Sequence, residues 1–527
     1  MGEAAEENVR LQDGGLEEEE QQQPPPPRSG FSDLLWAPLN WLMMLSREMH
    51  WSSFMGIIVV YGVSQGTGGS LSRVAGDYYW KDVQKVQPSQ SQIYQGITSI
   101  PWIVKPLWGL FTDVLPIAGY RRRPYFILAE IRDCFSYLRH WFEVAQWLFW
   151  GGNVGEMMIP WIRVCQKLLA DFDNEMSPSI GFGRNAAVAI SDVTIDACAA
   201  ENSRTQPAIA ADIQSLCAFS SSIGSLLGYV ISGWLVHLMS SQGVFGLLCI
   251  PAVLVFLVGI LLNEPHVPNF AYQENLREVN QAMWTTLKCP DVWRPCVYMY
   301  ISFALSFNIH EGLFYWYTDP KAGPAFSQEK VGFIFSIGSV GSLLGVLLYQ
   351  NLLKDYSFRD LLFWTQLCFG LSGMLDLVLV LRLNLKLGMP DYLFVVFDKS
   401  ITHMIGRIKW MPLLVLSAKL CPSGIEGTFF ALLMSIDNSG LLTSSWFGGA
   451  LLHILNVTRT EFHNLWLAIL IRNIIRLVPL ALLFLVPKND PKAAGLPADM
   501  EAVKEEQIHE ADNIELVALV DHNHNVR

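Results

Sequence analysis

The chain has 527 residues, of which 51% are hydrophobic and 16% are charged, and its mean hydropathy is positive. A soluble protein of this size carries more charge and shorter apolar runs, so the composition excludes a soluble globular protein and indicates a polytopic helical membrane protein. The net charge of −12 lies mostly in two tails, residues 1–30 with −6 and residues 488–527 with −5, and nothing in it suggests nucleic-acid binding.

The first segment, residues 1–30, is rich in Glu, Gln and Pro. It cannot bury enough apolar surface to fold, so we expect a disordered acidic tail. It has no apolar core and is too acidic for an ordinary transit peptide, so we expect neither a signal peptide nor a transit peptide here. Residues 31–50 follow as an amphipathic segment that we expect at the membrane surface.

The first predicted span, residues 51–71, contains a polar and glycine-rich stretch at 61–70. Small residues favour close helix packing, polar ones favour a helix that lines a cavity, and both readings stay open. A polar loop is predicted at 73–90. The second span, 93–111, contains Lys105. A charge there is usually functional, although a lysine near a helix end can also reach the membrane interface.

A short loop after the second span carries glycine, acidic and basic residues in a fixed order: Gly109, Asp113, Gly119, Arg121, Arg122 and Arg123. The glycines permit a tight turn and a close backbone approach, and the acid faces a basic cluster. This order resembles the signature loop between the second and third helices of major facilitator superfamily transporters. We therefore expect a gating loop, and the alternative is a plain positive-inside anchor.

The pattern of apolar spans breaks after Ala129. Between Glu130 and Phe182 charges interrupt every candidate window, and each charge at bilayer depth costs roughly 2.5–3.5 kcal/mol. The third span therefore does not continue, and the start of the fourth is affected. A clean pattern resumes near Asn185. Within it, Asp192 and Asp196 share one helix face and are expected to look into a cavity.

The remaining predicted spans are 213–239, 244–262, 297–317, 331–349, 361–381, 392–420, 428–455 and 465–486. The loop 263–295 divides the chain into an N-terminal six-helix bundle at 51–262 and a C-terminal six-helix bundle at 296–487, if the third and fourth spans are complete. The halves show weak but ordered similarity, as expected for two repeats. Basic residues in the connecting loops place both termini in the cytoplasm.

Eight motifs along the chain belong together: 77–89 (DYYWKDVQKVQPS), 108–114 (WGLFTDV), 119–126 (GYRRRPYF), 192–197 (DVTIDA), 212–217 (DIQSLC), 310–320 (HEGLFYWYTDP), 323–329 (GPAFSQE) and 425–430 (IEGTFF). They resemble the plant folate–biopterin transporter family of the major facilitator superfamily over about residues 41–490, except for the segment 130–182. The resemblance implies an all-α major facilitator fold with six plus six transmembrane helices. It also implies secondary active transport of folates or pterins by alternating access, coupled to protons.

The chemistry of such a ligand selects candidate binding residues. A carboxylate can bind the amino-pyrimidinone edge of a pterin, a cation suits the glutamyl carboxylates of a folate, and aromatic rings can stack on the pterin. The candidates are the acids Asp192, Asp196 and Glu311, the bases Lys105 and Arg407, and the rings Phe314, Trp316 and Tyr317. Each can instead be structural, since aromatic residues on apolar helices are mostly core residues.

The same acids are candidates for proton coupling, because burial disfavours a charged carboxylate: Asp192, Asp196 and Glu311. His310 is a candidate proton relay, and Asp376 and Asp437 lie within spans and are further candidates for the cavity. The nine cysteines form no Cys-x-x-Cys pair, and the sequence contains no catalytic set or phosphate-cradling loop. We therefore expect no enzyme activity, no cofactor and no metal site.

The departure from the family between 130 and 182 has two interpretations. It is either an error in the gene model or in splicing, such as translated intron, or a real isoform that lacks the third helix and part of the fourth. The other functions considered are transport of a different organic metabolite and an inactive protein. We expect a monomer in the lipid bilayer, at the plasma membrane or vacuole rather than in plastids, whose partners are a small-molecule substrate and a proton.

Overall fold

The computed structural model describes residues 31–131, 177–205, 209–264, 266, 284–354, 356–420 and 426–486. The predicted acidic tails, most of the central loop and most of the anomalous segment lie outside these residues. The described residues are helical apart from turns, connections and an isolated bridge between Ile117 and Tyr120. Helix α1 (Phe31–Glu48) belongs to a separate compact unit, and its place at the membrane surface stays a prediction.

The first span continues well past its predicted end. It comprises α2 (Trp51–Ile57), a π-helical stretch (Ile58–Gly68), α3 (Gly69–Tyr78) and a second π-helical stretch (Tyr79–Val83). The predicted polar loop at 73–90 is therefore wrong for residues 73–83. Those residues stay helical because Val74, Ala75 and Tyr78 give them an apolar face that is buried. Only the turn at 84–87 remains of the loop.

The rest of the amino-terminal half consists of α4 (Pro88–Thr98), α5 (Ile100–Ile103), α6 (Lys105–Val114), helical residues 123–131, α7 (Ser177–Thr205), α8 (Ala210–Leu247) and α9 (Cys249–Leu261). Helix α4 begins with Pro88 and a capping box between Gln87 and Gln90. Helix α7 is described from Ser177 onward and is 29 residues long, so the fourth helix is helical over the residues that the structure describes. Inside α8, Ser240 has a φ of 65° and separates the two predicted spans.

The glycines of the first span allow its backbone to contact α8 directly. A Cβ atom at Gly224 would lie 1.9 Å from the carbonyl oxygen of Gly62, and one at Gly66 would lie 2.8 Å from the carbonyl oxygen of Ser221. Such contacts are typical of small-residue helix interfaces. Gln65 and Gly69 of the same stretch line a cavity. Residues 61–70 therefore both pack closely against a neighbouring helix and line a cavity.

The carboxyl-terminal half consists of α10 (Pro290–Ala304), α11 (His310–Tyr317), α12 (Gln328–Leu348), a π-helical stretch (Tyr349–Leu353), α13 (Phe358–Ser372), α14 (Met374–Val380), α15 (Leu383–Lys386), α16 (Asp391–Leu420), α17 (Glu426–Ile454), α18 (Leu465–Ile475) and a 3₁₀ stretch (Val478–Leu485). The predicted span 297–317 is broken between α10 and α11, where Phe307 has a φ of 30°. The backbone N–H of Asn308 donates to Ser444 O at 3.0 Å, so α17 supplies a hydrogen-bond acceptor for the backbone where the helix is broken.

Within the described residues, four helical stretches are long and apolar enough to cross a membrane: Ser215–Leu261, Gln328–Leu353, Phe358–Val380 and Leu465–Leu485. Other predicted spans are interrupted or carry buried charges; for example, α16 carries Asp398 and Lys399. Charges at such depth need partners from neighbouring helices. These partners define the candidate sites.

Candidate functional site

Three predicted site residues meet inside the amino-terminal half. Lys105 on α6 forms an ion pair with Asp192, and its Nζ lies 3.3 Å from Oδ2 of Asp196. The two aspartates are one turn apart on α7. The Tyr61 hydroxyl donates to Asp196, and Gln65 Nε2 donates to Asp192 Oδ1 at 2.6 Å. We call these five residues the lysine cluster. Two carboxylates around one ammonium give it an excess of negative charge when all three groups are ionised.

A second group of polar side chains connects the two halves of the protein. We call it the polar junction, and it consists of Arg73, Asp77, Ser91, Gln92, Gln95, His310 and Glu311. Glu311 is fully buried and accepts hydrogen bonds from Ser91 Oγ at 2.8 Å and Gln95 Nε2 at 2.6 Å. Its backbone N–H donates to Gln92 Oε1 at 3.2 Å. The Glu311 carboxylate of α11 is therefore held by α4.

Asp77 forms the other half of the junction. Its carboxylate lies 3.0 Å from His310 Nε2 and 3.5 Å from Arg73 Nε, and it accepts a hydrogen bond from Gln95 Nε2 at 3.0 Å. The Gln95 amide thus bridges Asp77 and Glu311 through its two N–H groups. Ligand atoms of Asp77, His310 and Glu311 lie within 4.8 Å of one another, which is close enough for a metal ion. Donors from Arg73, Ser91 and Gln95 already contact the two carboxylates, which favours a hydrogen-bonded network.

Contacts between the halves continue at the turn 84–87. Gln87 Oε1 accepts a hydrogen bond from the backbone N–H of Arg459 at 3.1 Å, and Val86 O accepts one from the Tyr315 hydroxyl at 3.1 Å. These contacts lie at the end of the first span, next to the polar junction. The two halves are therefore joined on the side of this turn.

A cavity of about 450 Å³ lies beside the junction and the lysine cluster. Its walls carry amide side chains from Gln65, Gln92, Gln95, Asn185 and Asn308 and aromatic rings from Tyr79, Trp80, Trp102 and Phe245. The charged side chains among the described lining residues are Arg73 and Arg184, and none of those residues is acidic. A flat ligand with hydrogen-bonding edges fits such walls.

Several predicted binding residues lie away from this cavity. Phe314, Trp316 and Tyr317 are at most 4% exposed and pack in a core cluster with other aromatic and aliphatic residues. The Arg407 guanidinium lies 4.6 Å from the Trp410 ring centre. None of these four predicted residues is among those that line the cavity. Their roles in substrate binding stay predictions.

The predicted gating loop folds as a tight turn onto the end of α9. Ala118 and Gly119 both have positive φ, of 53° and 79°, as in a type I′ turn. The Glu264 carboxylate accepts hydrogen bonds from the backbone N–H groups of three consecutive residues, at 2.7 to 3.2 Å: Arg121, Arg122 and Arg123. Glu264 thus caps helical residues 123–131 and complements their dipole.

Two further loop residues were predicted with the arginines. Gly109 lies close to α7, where a Cβ atom would be 3.4 Å from Val193 Cγ1. The side chain of Asp113 lies outside the described part of the chain. Arg123 also reaches the carbonyl oxygens of Gly259 and Ile260, at 3.3 and 2.7 Å. The loop thus binds α9, and its gating role stays a prediction.

The acids predicted within the later spans have different surroundings. Asp376 is paired with Lys399 at 3.1 Å and with Arg472 at 2.9 Å, inside the carboxyl-terminal half. Asp437 is buried, and neither carboxylate oxygen has a hydrogen-bond partner among the described residues. The ion pairs of Asp376 join α14 to α16 and α18.

Some site residues were missed from the sequence. Asp77, Gln95 and Glu264 carry central contacts, and Arg184 lines the cavity, but no spacing rule connects them to their partners. Asp77 lies in one of the motifs, which is the signal that could have drawn attention to it. Gln95 and Arg184 carry no comparable signal.

The fold is that of the major facilitator superfamily. The D-xylose–proton symporter has a TM-score of 0.54 to this chain at 15% identity, over 85% of this chain and 98% of the symporter. A variant of the nucleoside transporter NupG has a TM-score of 0.57 at 14% identity, over 81% and 98%. The chain is a multi-pass membrane protein and shares the fold of these two transporters.

The chain belongs to the BT1 family, whose sequence profile matches residues 65–145 and 179–507. "Probable folate-biopterin transporter 2" of Arabidopsis thaliana is 56% identical over 504 residues, covering 93% of this chain and 95% of the relative. "Probable folate-biopterin transporter 5" of the same plant is 53% identical, covering 94% and 95%. The "Folate-biopterin transporter" of Synechocystis sp. is 30% identical, covering 85% and 84%. These relatives confirm the family resemblance seen in the motifs.

The family profile also bears on the anomalous segment. Its match is interrupted between 145 and 179, inside the segment 130–182 that departs from the expected pattern. Residues 130–145 and 179–182 do match the family, so the segment that departs from it is shorter than the predicted 130–182. Whether the unmatched residues arise from an error or from a real isoform stays open.

Proposed function

We propose that this protein is a secondary active transporter that moves folates or pterins across a membrane by alternating access, coupled to protons. The observation that carries the proposal is the similarity to named folate–biopterin transporters over more than nine-tenths of the chain. The cavity supports it, because its amide groups can pair with the edges of a pterin and its aromatic rings can stack on the pterin face.

The test is uptake of labelled folic acid and labelled biopterin in a folate-requiring host. The chain is compared with an empty vector and with a version in which residues 146–178 are replaced by the corresponding segment of a relative. Uptake by the unaltered chain supports the proposal. Uptake only by the repaired chain identifies the unaltered chain as inactive, and uptake by neither favours transport of another organic metabolite.

Glu311 is the coupling residue that the geometry favours. It is fully buried between the halves, and its carboxylate holds them together through Ser91 and Gln95. A proton on Glu311 removes the charge that strengthens both hydrogen bonds, and so weakens the polar junction. Opening of the protein on the side of turn 84–87 requires these bonds to break. The lysine cluster, with Asp192 and Asp196, is the second candidate for the coupled proton.

A Glu311→Gln variant tests this role, because glutamine keeps the shape but cannot ionise. We expect the variant to exchange substrate across the membrane while its uptake no longer rises with an inward proton gradient. Glu461→Gln, at an exposed loop residue, is the matched control and should behave like the unaltered chain. A Glu311→Gln variant that still responds fully to the gradient contradicts the assignment.

We further propose a monomer with both termini in the cytoplasm, at the plasma membrane or the vacuole. The distribution of basic loop residues supports this orientation. A relative that is 26% identical is named as chloroplastic, so the plastid is the competing location. Imaging of a fluorescent fusion in plant cells decides between them, and a signal confined to plastids refutes the proposed location.

A further inference from the structure

The cavity is lined by one arginine that has no counter-ion among the described side chains. Its lining includes two arginines and, among the described residues, no acid. Arg73 is compensated by Asp77 at 3.5 Å. Arg184 has no ion pair or hydrogen bond with the described residues, and its side chain is partly exposed at the cavity wall. An unpaired guanidinium in a partly enclosed site favours an anionic ligand.

The two cations predicted from the sequence are less suited to this task. Lys105 is only 7% exposed and is held between Asp192 and Asp196. Arg407 stacks on Trp410 and does not line the cavity. A ligand carboxylate that approached Lys105 would have to compete with two protein carboxylates. Arg184 faces no such competition.

The helix that carries Arg184 is bonded to a helix that carries an aromatic residue of the cavity. Asn185, the next residue of α7, accepts a hydrogen bond at 3.1 Å from the indole N–H of Trp102 on α5. Trp102 lines the same cavity. This bond connects the helix that carries Arg184 to the helix that carries Trp102, and both side chains line the same cavity.

We infer that Arg184 is the specificity residue of the cavity: it binds the glutamyl carboxylate of a folate and makes the transporter prefer folates to unconjugated pterins. The inference rests on the proposed function and deepens it. A guanidinium binds a carboxylate through two parallel hydrogen bonds, whereas biopterin carries only an uncharged side chain. Both ligands share the pterin ring, so the carboxylate is the group that separates them.

The experiment measures KM for labelled folic acid and biopterin with Arg184→Gln, Arg184→Lys and the control Arg294→Gln, an exposed arginine outside the cavity. We expect Arg184→Gln to raise the KM for folic acid about 10- to 100-fold and to change that for biopterin less than about 3-fold. Arg184→Lys should lie between, because an ammonium keeps the charge but not the paired hydrogen bonds. Arg294→Gln should change neither.

A second measurement needs no variant, and it covers the case in which Arg184→Gln does not reach the membrane. Folic acid and its neutral dimethyl ester compete for uptake of labelled folic acid by the unaltered chain, and we expect the ester to compete at least about 10-fold more weakly. Equal competition by the ester, or an unchanged folate KM in Arg184→Gln, overturns the inference but leaves the proposed function intact. Uptake of neither labelled ligand by the unaltered chain or the repaired chain refutes the proposed function itself.

Discussion

Replacing Lys105 with methionine tests whether the lysine cluster stabilises the amino-terminal half. The substitution keeps most of the side-chain volume but removes the ammonium that lies between two aspartates of α7. Asp192 is buried and would lose its counter-ion. Gln65 would still donate a hydrogen bond to Asp192, but an amide does not neutralise a carboxylate. The variant therefore leaves a buried, uncompensated negative charge.

The magnitude follows from the distances. At 3.3 Å and an effective dielectric constant of about 20, two unit charges attract by about 5 kcal/mol. The Asp196 side chain is 39% exposed, so water screens its share of the attraction. Removing one partner of a buried pair costs about 3–5 kcal/mol, and we expect Lys105→Met to lie near 3 kcal/mol. The double variant Lys105→Met/Asp192→Asn removes both charges and should recover most of this loss.

Melting temperatures of the detergent-solubilised protein, read from the surviving monodisperse fraction after heating, give the ranking of the variants. We expect Lys105→Met to melt lowest and the double variant to lie between it and the unaltered chain. Lys386→Met, at an exposed position, should melt like the unaltered chain. If Lys105→Met melts normally, or if the double variant melts below it, the electrostatic reasoning is refuted.

Two further substitutions test the packing around the first span and the loop. Glu264→Ala leaves three backbone N–H groups without their carboxylate and should lower the free energy of unfolding by about 1–3 kcal/mol. Glu264→Gln keeps one acceptor oxygen and should lower it less. Equal melting temperatures of the unaltered chain and both variants would contradict the capping role. Gly224→Ala places a Cβ atom 1.9 Å from Gly62 O and should lower the free energy of unfolding by at least about 1–3 kcal/mol. The control is Gly76→Ala, whose Cβ atom meets no atom within 4 Å and should be tolerated. A Gly224→Ala variant that melts like the unaltered chain would refute the close helix contact.

Physical rules that act along the chain made some features predictable. Apolar runs of about 20 residues indicate membrane spans, because a helix of that length crosses the hydrocarbon core of a bilayer. The spans are expected to be helices, because a helix satisfies its own backbone hydrogen bonds in lipid. Charges inside such runs need partners, so Lys105, Asp192 and Asp196 could be chosen as site residues, and the structure brings them together. The resemblance to the transporter family, carried by the motifs, was also available from the sequence and is confirmed.

Contacts between residues far apart in the chain were decided by the tertiary structure alone. Glu311 could be chosen as a functional acid, but its bonds to Ser91 and Gln95 cross more than 200 residues and follow no sequence spacing. Helix interruptions, such as the break before α11, depend on partners from other helices, which a periodicity argument does not contain. The charge of a cavity likewise depends on which ions are already paired. Lys105 is an evident cation in the sequence, yet only the packing of α6 against α7 commits it to aspartates and leaves Arg184 to face the cavity.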